Sequence, residues 1–285
     1  MNDSIKTMRV AKTFSDAVSP LRNLYHPVQP TITEKDNDVV YQEFLPAQQL
    51  QPFVYCYWEL RTIKKLEVPF QYRVVADGCI DIYFDLHNPI ESYVMGFCKN
   101  YTEFPLEHQF HYVGIRFLPT MFPQLFKVDA SILSNRYQYL RDVIPAPAQF
   151  IQENINSKLT STKMVSTIDS LLLKVLAASD FNNDPRLYGA IQNILSRFGV
   201  VNIETDLDTG ISARQLRRLF EYYVGDSAKT FAKVVRFQNI LRAKPSTQSL
   251  QHNKLFYDAG YYDQAHFIKE FKNFYGVTPS KAFGR

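Results

Sequence analysis

The stretch GISARQLRRLFEYYVGD, Gly210–Asp226, decides how the chain is read. Ser212 stands where a helix N-cap belongs, Gln215 three residues on completes a capping box, and Ile211 and Leu216 take the two positions of a hydrophobic staple. Leu216, Leu219, Phe220 and Tyr223 recur at i, i+3, i+4 and i+7, so they share one face that must pack inward. Arg214, Arg217 and Arg218 fall on the opposite side, and Gly225 ends the helix.

The plan returns in GYYDQAHFIKEFKNFYGVTPSKAF, Gly260–Phe283. Gly260 turns the chain after the apolar helix end LFYDA, Asp263 is the N-cap, and Phe267, Phe271 and Phe274 form the buried stripe before Gly276 stops the helix. Gln264, Ala265, Ile268, Lys269 and Lys272 stand on the other side. A short helix, a glycine-containing turn and a second helix with polar or basic side chains outside is a helix-turn-helix, which offers its second helix to the major groove. Two such units are expected, joined by DSAKTFAKVVRFQNILRAK, which is capped by Ser227 and stopped at Pro245. A helix of about 17 residues spans roughly 25 Å. That spacer suits two recognition helices about one DNA turn, near 34 Å, apart.

Charge is distributed to match. Residues 185–285 hold 15 Lys+Arg against 8 Asp+Glu, whereas residues 1–184 hold 17 against 20, so the last hundred residues are the basic part. That asymmetry suits a polyanion-binding module attached to a domain with a different task.

The C-terminal hundred residues resemble the DNA-binding domain of the AraC/XylS family of transcription regulators. The second unit, GYYDQAHFIKEFKNFYGVTPSKAF, matches that family's signature nearly throughout, and GISARQLRRLF with YYVGDSAKTF resembles its first unit. The sequence departs from the pattern in the acidic IETDLDTG segment before the first recognition helix and in Phe256, where a small residue is common. The resemblance implies base-reading positions at Arg214, Arg217 and Arg218 in the first unit and at Gln264, Ala265, Ile268 and Lys269 in the second. Arginine donates two hydrogen bonds to guanine, whereas Ala265 and Ile268 offer only apolar contact, so the first helix is expected to carry more of the discrimination.

Upstream the texture is different. Residues 1–40 show no sustained period and are expected to be an irregular lead-in. From Phe53 to Pro119 short β-branched and aromatic runs alternate with turn residues and read as strands. In CIDIYFDL, Ile80, Ile82 and Phe84 alternate with Asp81, Tyr83 and Asp85, the pattern of a strand with one buried face. From Met121 the texture is helical, and Ile168, Leu171, Leu172, Val175 and Leu176 form one stripe, suited to core packing or to a dimer seam. The expected fold is α+β in two domains: a β-rich, cupin-like barrel or sandwich with trailing helices over residues 41–180, then an all-α double helix-turn-helix domain over 184–285. Asp184 and Pro185 mark the boundary as N-cap and first helical residue.

PFVYCYWEL, VVADGCIDIYF and YVGIRFLP resemble the poorly characterised N-terminal domain that accompanies some AraC-type regulators. The resemblance implies a domain that senses a small molecule or mediates homodimerisation. Trp58, Tyr57, Asp77 and Arg116, with Tyr55, Asp81 and Phe84 near them in the pattern, have the mix of aromatic walls and few polar anchors that a ligand pocket requires. Ordinary β-domain packing accounts for most of them equally well. The overall expectation is a cytoplasmic regulator with double-stranded DNA and RNA polymerase as partners, no membrane span, no cofactor and no metal.

The alternative class is a DNA-targeted repair or modification enzyme delivered by the helix-turn-helix domain. The sequence offers no Gly-rich phosphate loop, nucleophile elbow or metal-spaced cluster for it. Cys56, Cys79 and Cys98 are odd in number and far apart, which suits neither a disulfide framework nor a zinc site. His108 and His111, three apart on a strand, would point to opposite faces and are not read as ligands. His266 is expected to pack or cap.

Overall fold

The computed structural model describes residues 14–16, 18–29, 38–207, 209–243 and 260–283. Its strands are β1 (Val39–Phe44), β2 (Val54–Thr62), β3 (Phe70–Val74), β4 (Ile80–Asp85), β5 (Ser92–Met95), β6 (Thr102–Leu106), β7 (His111–Phe117) and β8 (Tyr137–Tyr139). Six of these form an antiparallel sheet in the order β1-β2-β7-β4-β5-β8, and β3 pairs with β6 as a separate ribbon. The alternation expected for β4 holds, with Ile80, Ile82 and Phe84 buried between half-buried neighbours. Strand pairing carries it across the sheet: Cys56 lies opposite Arg116, Arg116 opposite Asp81, and Asp81 opposite Met95, in one row on one face.

The other face, with Tyr57, Ile82, Val94, Ile115 and Phe117, joins the main core together with the helices that follow: α1 (Met121–Phe126), α2 (Leu140–Val143), α3 (Pro145–Asn154) and α4 (Ser161–Ala178). Thr160 caps α4 by accepting the Lys163 N–H at 3.3 Å. Ile168, Leu171 and Leu172 are buried and Val175 and Leu176 half-buried against that core, so the stripe packs within the chain.

One expectation about the lead-in is corrected. Residues 14–16 and 18–24 are helical rather than irregular, and Phe14, Val18, Leu21 and Tyr25 are buried. Phe14 stacks on Phe181 at 4.6 Å and meets the edge of Tyr188 at 5.6 Å. One apolar residue per turn among polar neighbours is too sparse to show as a period, and its partners are distant in sequence, from Phe53 and Asp77 to Phe181 and Tyr188.

The C-terminal part holds α5 (Pro185–Ser196), α6 (Ala213–Val224), α7 (Ala228–Ala243), α8 (Gln264–Tyr275) and α9 (Pro279–Phe283). Asp184 caps α5 as expected, accepting the Arg186 N–H at 3.0 Å. Gly199 follows with φ +75°, and a Cβ there would lie 2.1 Å from the Ala232 carbonyl oxygen, so α7 crosses directly over bare backbone. In the first unit a single turn over residues 203–206 takes the place of a leading helix. Asp206 holds it, accepting the Asn202 N–H at 3.0 Å and pairing with Arg197 at 3.1 Å. The LFYDA helix end, Phe256 and the stop at Pro245 lie outside the described residues.

The two parts are joined by a polar seam that no local pattern announces. Gln238 on α7 accepts the Val28 N–H at 2.7 Å and donates to the Ala76 carbonyl at 2.7 Å and to that of Val28 at 3.3 Å. The Ala76 N–H reaches the Phe274 carbonyl at 3.3 Å, the Tyr101 N–H reaches Asn273 at 3.2 Å, and Lys99 pairs with Asp226 at 2.9 Å.

Candidate functional site

The start of α6 is set by the full capping box: the Gln215 N–H donates to Ser212 Oγ at 3.3 Å, and the Ser212 N–H donates to Gln215 Oε1 at 3.1 Å. Leu216, Phe220, Tyr223 and Val224 are buried, and Gly225 stops the helix with φ +106°. That anchoring leaves Arg214, Gln215, Arg217 and Arg218 exposed. Arg217 Nε donates to Glu221 Oε1 at 2.7 Å, an exposed, solvent-screened pair that a phosphate or a base can displace. Arg214 and Arg218 form no ion pair among the described residues.

In α8, Asp263 accepts the His266 N–H at 2.7 Å, and Phe267, Phe271 and Phe274 are buried as the stripe requires. Gln264, Ala265, Lys269 and Lys272 are exposed, but Ile268 is half-buried against the core and presents less surface than its position in the pattern suggested. Two features escaped the sequence reading. Glu270, 7% exposed, binds α7 through Lys233 at 2.8 Å and Arg236 at 3.3 Å, and Arg236 in turn lies over the Tyr261 ring at 4.3 Å. This clasp sets the angle of α8 on α7. Tyr262, 87% exposed beside the N-cap, places an aromatic ring at the leading end of α8.

A cavity of about 300 Å³ opens between the sheet face carrying Arg116 and the β3–β6 ribbon. Half of its lining side chains are aromatic rings. Trp58 forms the floor: a Cβ on Gly114 would lie 2.0 Å from its indole, so the missing side chain lets the ring lie flat across β7. From there Trp58 Nε1 donates to Asp81 Oδ2 at 2.9 Å. Arg116, 2% exposed, donates to both Asp81 oxygens at 3.2 and 2.9 Å and lies 3.4 Å from Asp77. Burial pushes Asp81 up to about 6 against the pull of Arg116. Burial also opposes the charge on Arg116, yet Asp81, Tyr41 and Asp77 outweigh it and hold the guanidinium protonated.

Of the sequence-derived pocket residues, then, Trp58 and Arg116 line the cavity, as does Asp81. Tyr57 does not: successive residues of β2 point to opposite faces, and its hydroxyl donates to Asp169 on α4 at 2.7 Å. Asp77 stands behind Arg116, accepting the Cys79 N–H at 3.0 Å and the Gln29 amide at 2.7 Å. Phe84 is in the main core, and Tyr55 lies beside a separate, smaller recess with Arg22 and Glu43.

The remaining candidates are accounted for locally. Cys56, Cys79 and Cys98 are buried free thiols, and burial pushes Cys98 up to about 12. His111 pairs with Glu59, and His108, in the turn before β7, meets the Leu66 carbonyl at 2.9 Å. Among the described residues no group of three His, Cys, Asp or Glu is placed to hold a metal, and no helix is long and apolar enough to cross a membrane.

Residues 208–285 match a family model described as a helix-turn-helix domain, and residues 42–138 match a domain of unknown function, DUF6597. No curated protein matches the chain. Among solved structures it is similar to ToxT from Vibrio cholerae O395 at 11% identity, over 87% of this chain and 98% of that one, with a TM-score of 0.42. It is also similar to an apo lysine-to-alanine variant of ToxT from Vibrio cholerae strain SCE256 at 10% identity, over 79% and 96%, with a TM-score of 0.43.

Proposed function

We propose that this DNA-binding transcription regulator, whose C-terminal part is an AraC-type helix-turn-helix domain behind a DUF6597 domain, sets promoter occupancy in response to an effector held in the N-terminal cavity. It acts as an activator that contacts RNA polymerase, and a homodimer formed through the N-terminal part is the other route to control. The observation that carries the reading is the pairing of an anchored helix with an exposed arginine face. The buried stripe of α6 fixes Arg214, Arg217 and Arg218 on one outward surface. Arginine on such a helix reads guanine O6 and N7 or holds phosphate.

Control follows from continuity of structure. Arg116 in the cavity touches Asp77, and the neighbouring Ala76 backbone is hydrogen-bonded to Gln238 of α7 and to Phe274 at the end of α8. A ligand that shifts Arg116 therefore acts on the loop that seats both helices. It changes DNA affinity only by the difference in its affinity for the two arrangements.

The test is recovery of genomic sites by the full chain, followed by binding titrations on the best site at several salt concentrations. Arg214→Ala and Arg218→Ala are each expected to weaken binding roughly 5- to 150-fold, equivalent to the ~1–3 kcal/mol of a bidentate base contact, or to lower the salt slope by about one if they hold phosphate. Unchanged site preference and unchanged salt slope in both variants would refute the assignment of α6.

A further inference from the structure

The ligand chemistry of the cavity can be taken further, on the premise that it is the effector site. We infer that the cavity accepts an organic cation, an alkyl or aryl ammonium of modest size, rather than an anion.

Two observations on the molecule carry this, and they are independent. The first is the wall. Tyr83 and Tyr93 stack at 5.3 Å, Phe104 meets Tyr83 edge-on at 6.3 Å, and Trp58 closes the floor. Ring faces present negative quadrupole to an enclosed guest, which is how quaternary ammonium groups are held in aromatic cages. The second is the arrangement of the buried ion pair at the polar end. One guanidinium, Arg116, is faced by Asp81 at 2.9 Å and Asp77 at 3.4 Å, with Glu43 at 4.0 Å. Of these carboxylates only Asp81 lines the cavity, and no lysine or histidine lines it among the described residues.

Arg116 is a poor anion receptor here. Its Nε and Nη2 are both committed to Asp81, and Nη1, fully buried, has no hydrogen-bond partner and is not open to a guest. An incoming carboxylate would meet the Asp81 carboxylate and a guanidinium whose Nε and Nη2 donors are already engaged by it. Asp81, in contrast, receives three hydrogen bonds, two on Oδ2 and one on Oδ1. A carboxylate has about four acceptor positions, so one on Oδ1 is left for an ammonium N–H or for charge contact with a quaternary head. A neutral apolar guest gains from the rings but leaves that acceptor position on Asp81 unused.

Trp58 is the sole tryptophan of the chain, so its fluorescence reports on the cavity directly. The full chain is titrated with phenyltrimethylammonium, with its neutral isostere tert-butylbenzene and with benzoate. The cation is expected to quench Trp58 saturably, at least tenfold more tightly than the isostere, with benzoate failing to compete. Asp81→Asn should weaken the cation at least tenfold and leave the isostere unchanged. Because Asp81→Asn also disturbs a buried ion pair, Tyr83→Leu serves as the second variant, keeping apolar volume while removing a ring face, with the same expected contrast. Equal affinity for cation and isostere, or tighter binding of benzoate, overturns the inference. DNA titration with and without the cation separates the two readings. Saturable cation binding with DNA affinity unmoved sinks the cavity's role as effector site and supports the cation assignment.

Discussion

Replacing Gly114 by alanine tests the architecture of the cavity at its tightest point. On general grounds the change should help, because glycine within a strand costs roughly 0.5–1 kcal/mol relative to alanine. The structure demands the opposite sign. The new Cβ would lie 2.0 Å from Trp58 Cε2, 2.2 Å from Cζ2 and 2.4 Å from Nε1, and the blocking atoms belong to a rigid ring rather than a flexible chain end. Carbon contacts settle at about 3.5–4.0 Å, so the indole must retreat by roughly 1.5 Å. That movement breaks the 2.9 Å bond from Nε1 to Asp81. A hydrogen bond to a charged partner is worth about 1.5–3 kcal/mol, and overpacking costs about 1–3 kcal/mol. With partial relaxation, Gly114→Ala is expected to lower stability by about 2–5 kcal/mol. Urea unfolding followed by Trp58 emission measures this, and the native emission itself should shift as the indole loses its carboxylate. A variant with parental midpoint and parental emission would refute the packing described for Trp58.

Gln238→Leu leaves the Val28 N–H and the Ala76 carbonyl without their seam partner, each unmet group costing about 1–3 kcal/mol; hydrogen exchange should rise in residues 75–78 and α7, and unchanged protection there would contradict the seam. The hydrogen bond from His111 holds Glu59 below the usual carboxylate range, with Ser161 and Arg61 adding to it. The folded pKa lies below the unfolded one, so this stabilisation is present above the unfolded carboxylate pKa and is lost as pH falls through the folded value. Glu59→Gln should flatten the acid limb of a stability–pH curve, and an unaltered limb would count against the pairing. Since burial raises all three thiols, Cys56, Cys79 and Cys98 should resist an aromatic disulfide reagent until the protein unfolds; rapid labelling of the native chain would reopen a thiol-transfer reading.

Helix limits and outward faces in the C-terminal part were legible because their causes are local. Ser212 and Gln215 close a box within four residues, Asp263 caps α8, Gly225 and Gly276 need positive φ, and the i, i+4 stripes place Phe220 and Phe271 inward. The alternation of β4 was legible for the same reason. A local pattern says nothing about which distant element meets which face. The helical lead-in docks on residues as far away as Tyr188, and Glu270, patterned as one more charge on α8, is buried as the clasp on α7. Tyr57 and Trp58 are indistinguishable as neighbours in a string of aromatics, and only the pairing of β2 with β7 and the bare Gly114 decide that Trp58 floors a cavity while Tyr57 reaches α4. The sequence by itself therefore determined the helices that could meet DNA, through contacts within one or two turns. Tertiary structure alone decided the cavity, its buried Asp81–Arg116 pair and the Gln238 seam, because each is made by side chains that approach only when the sheet, the ribbon and α7 have packed.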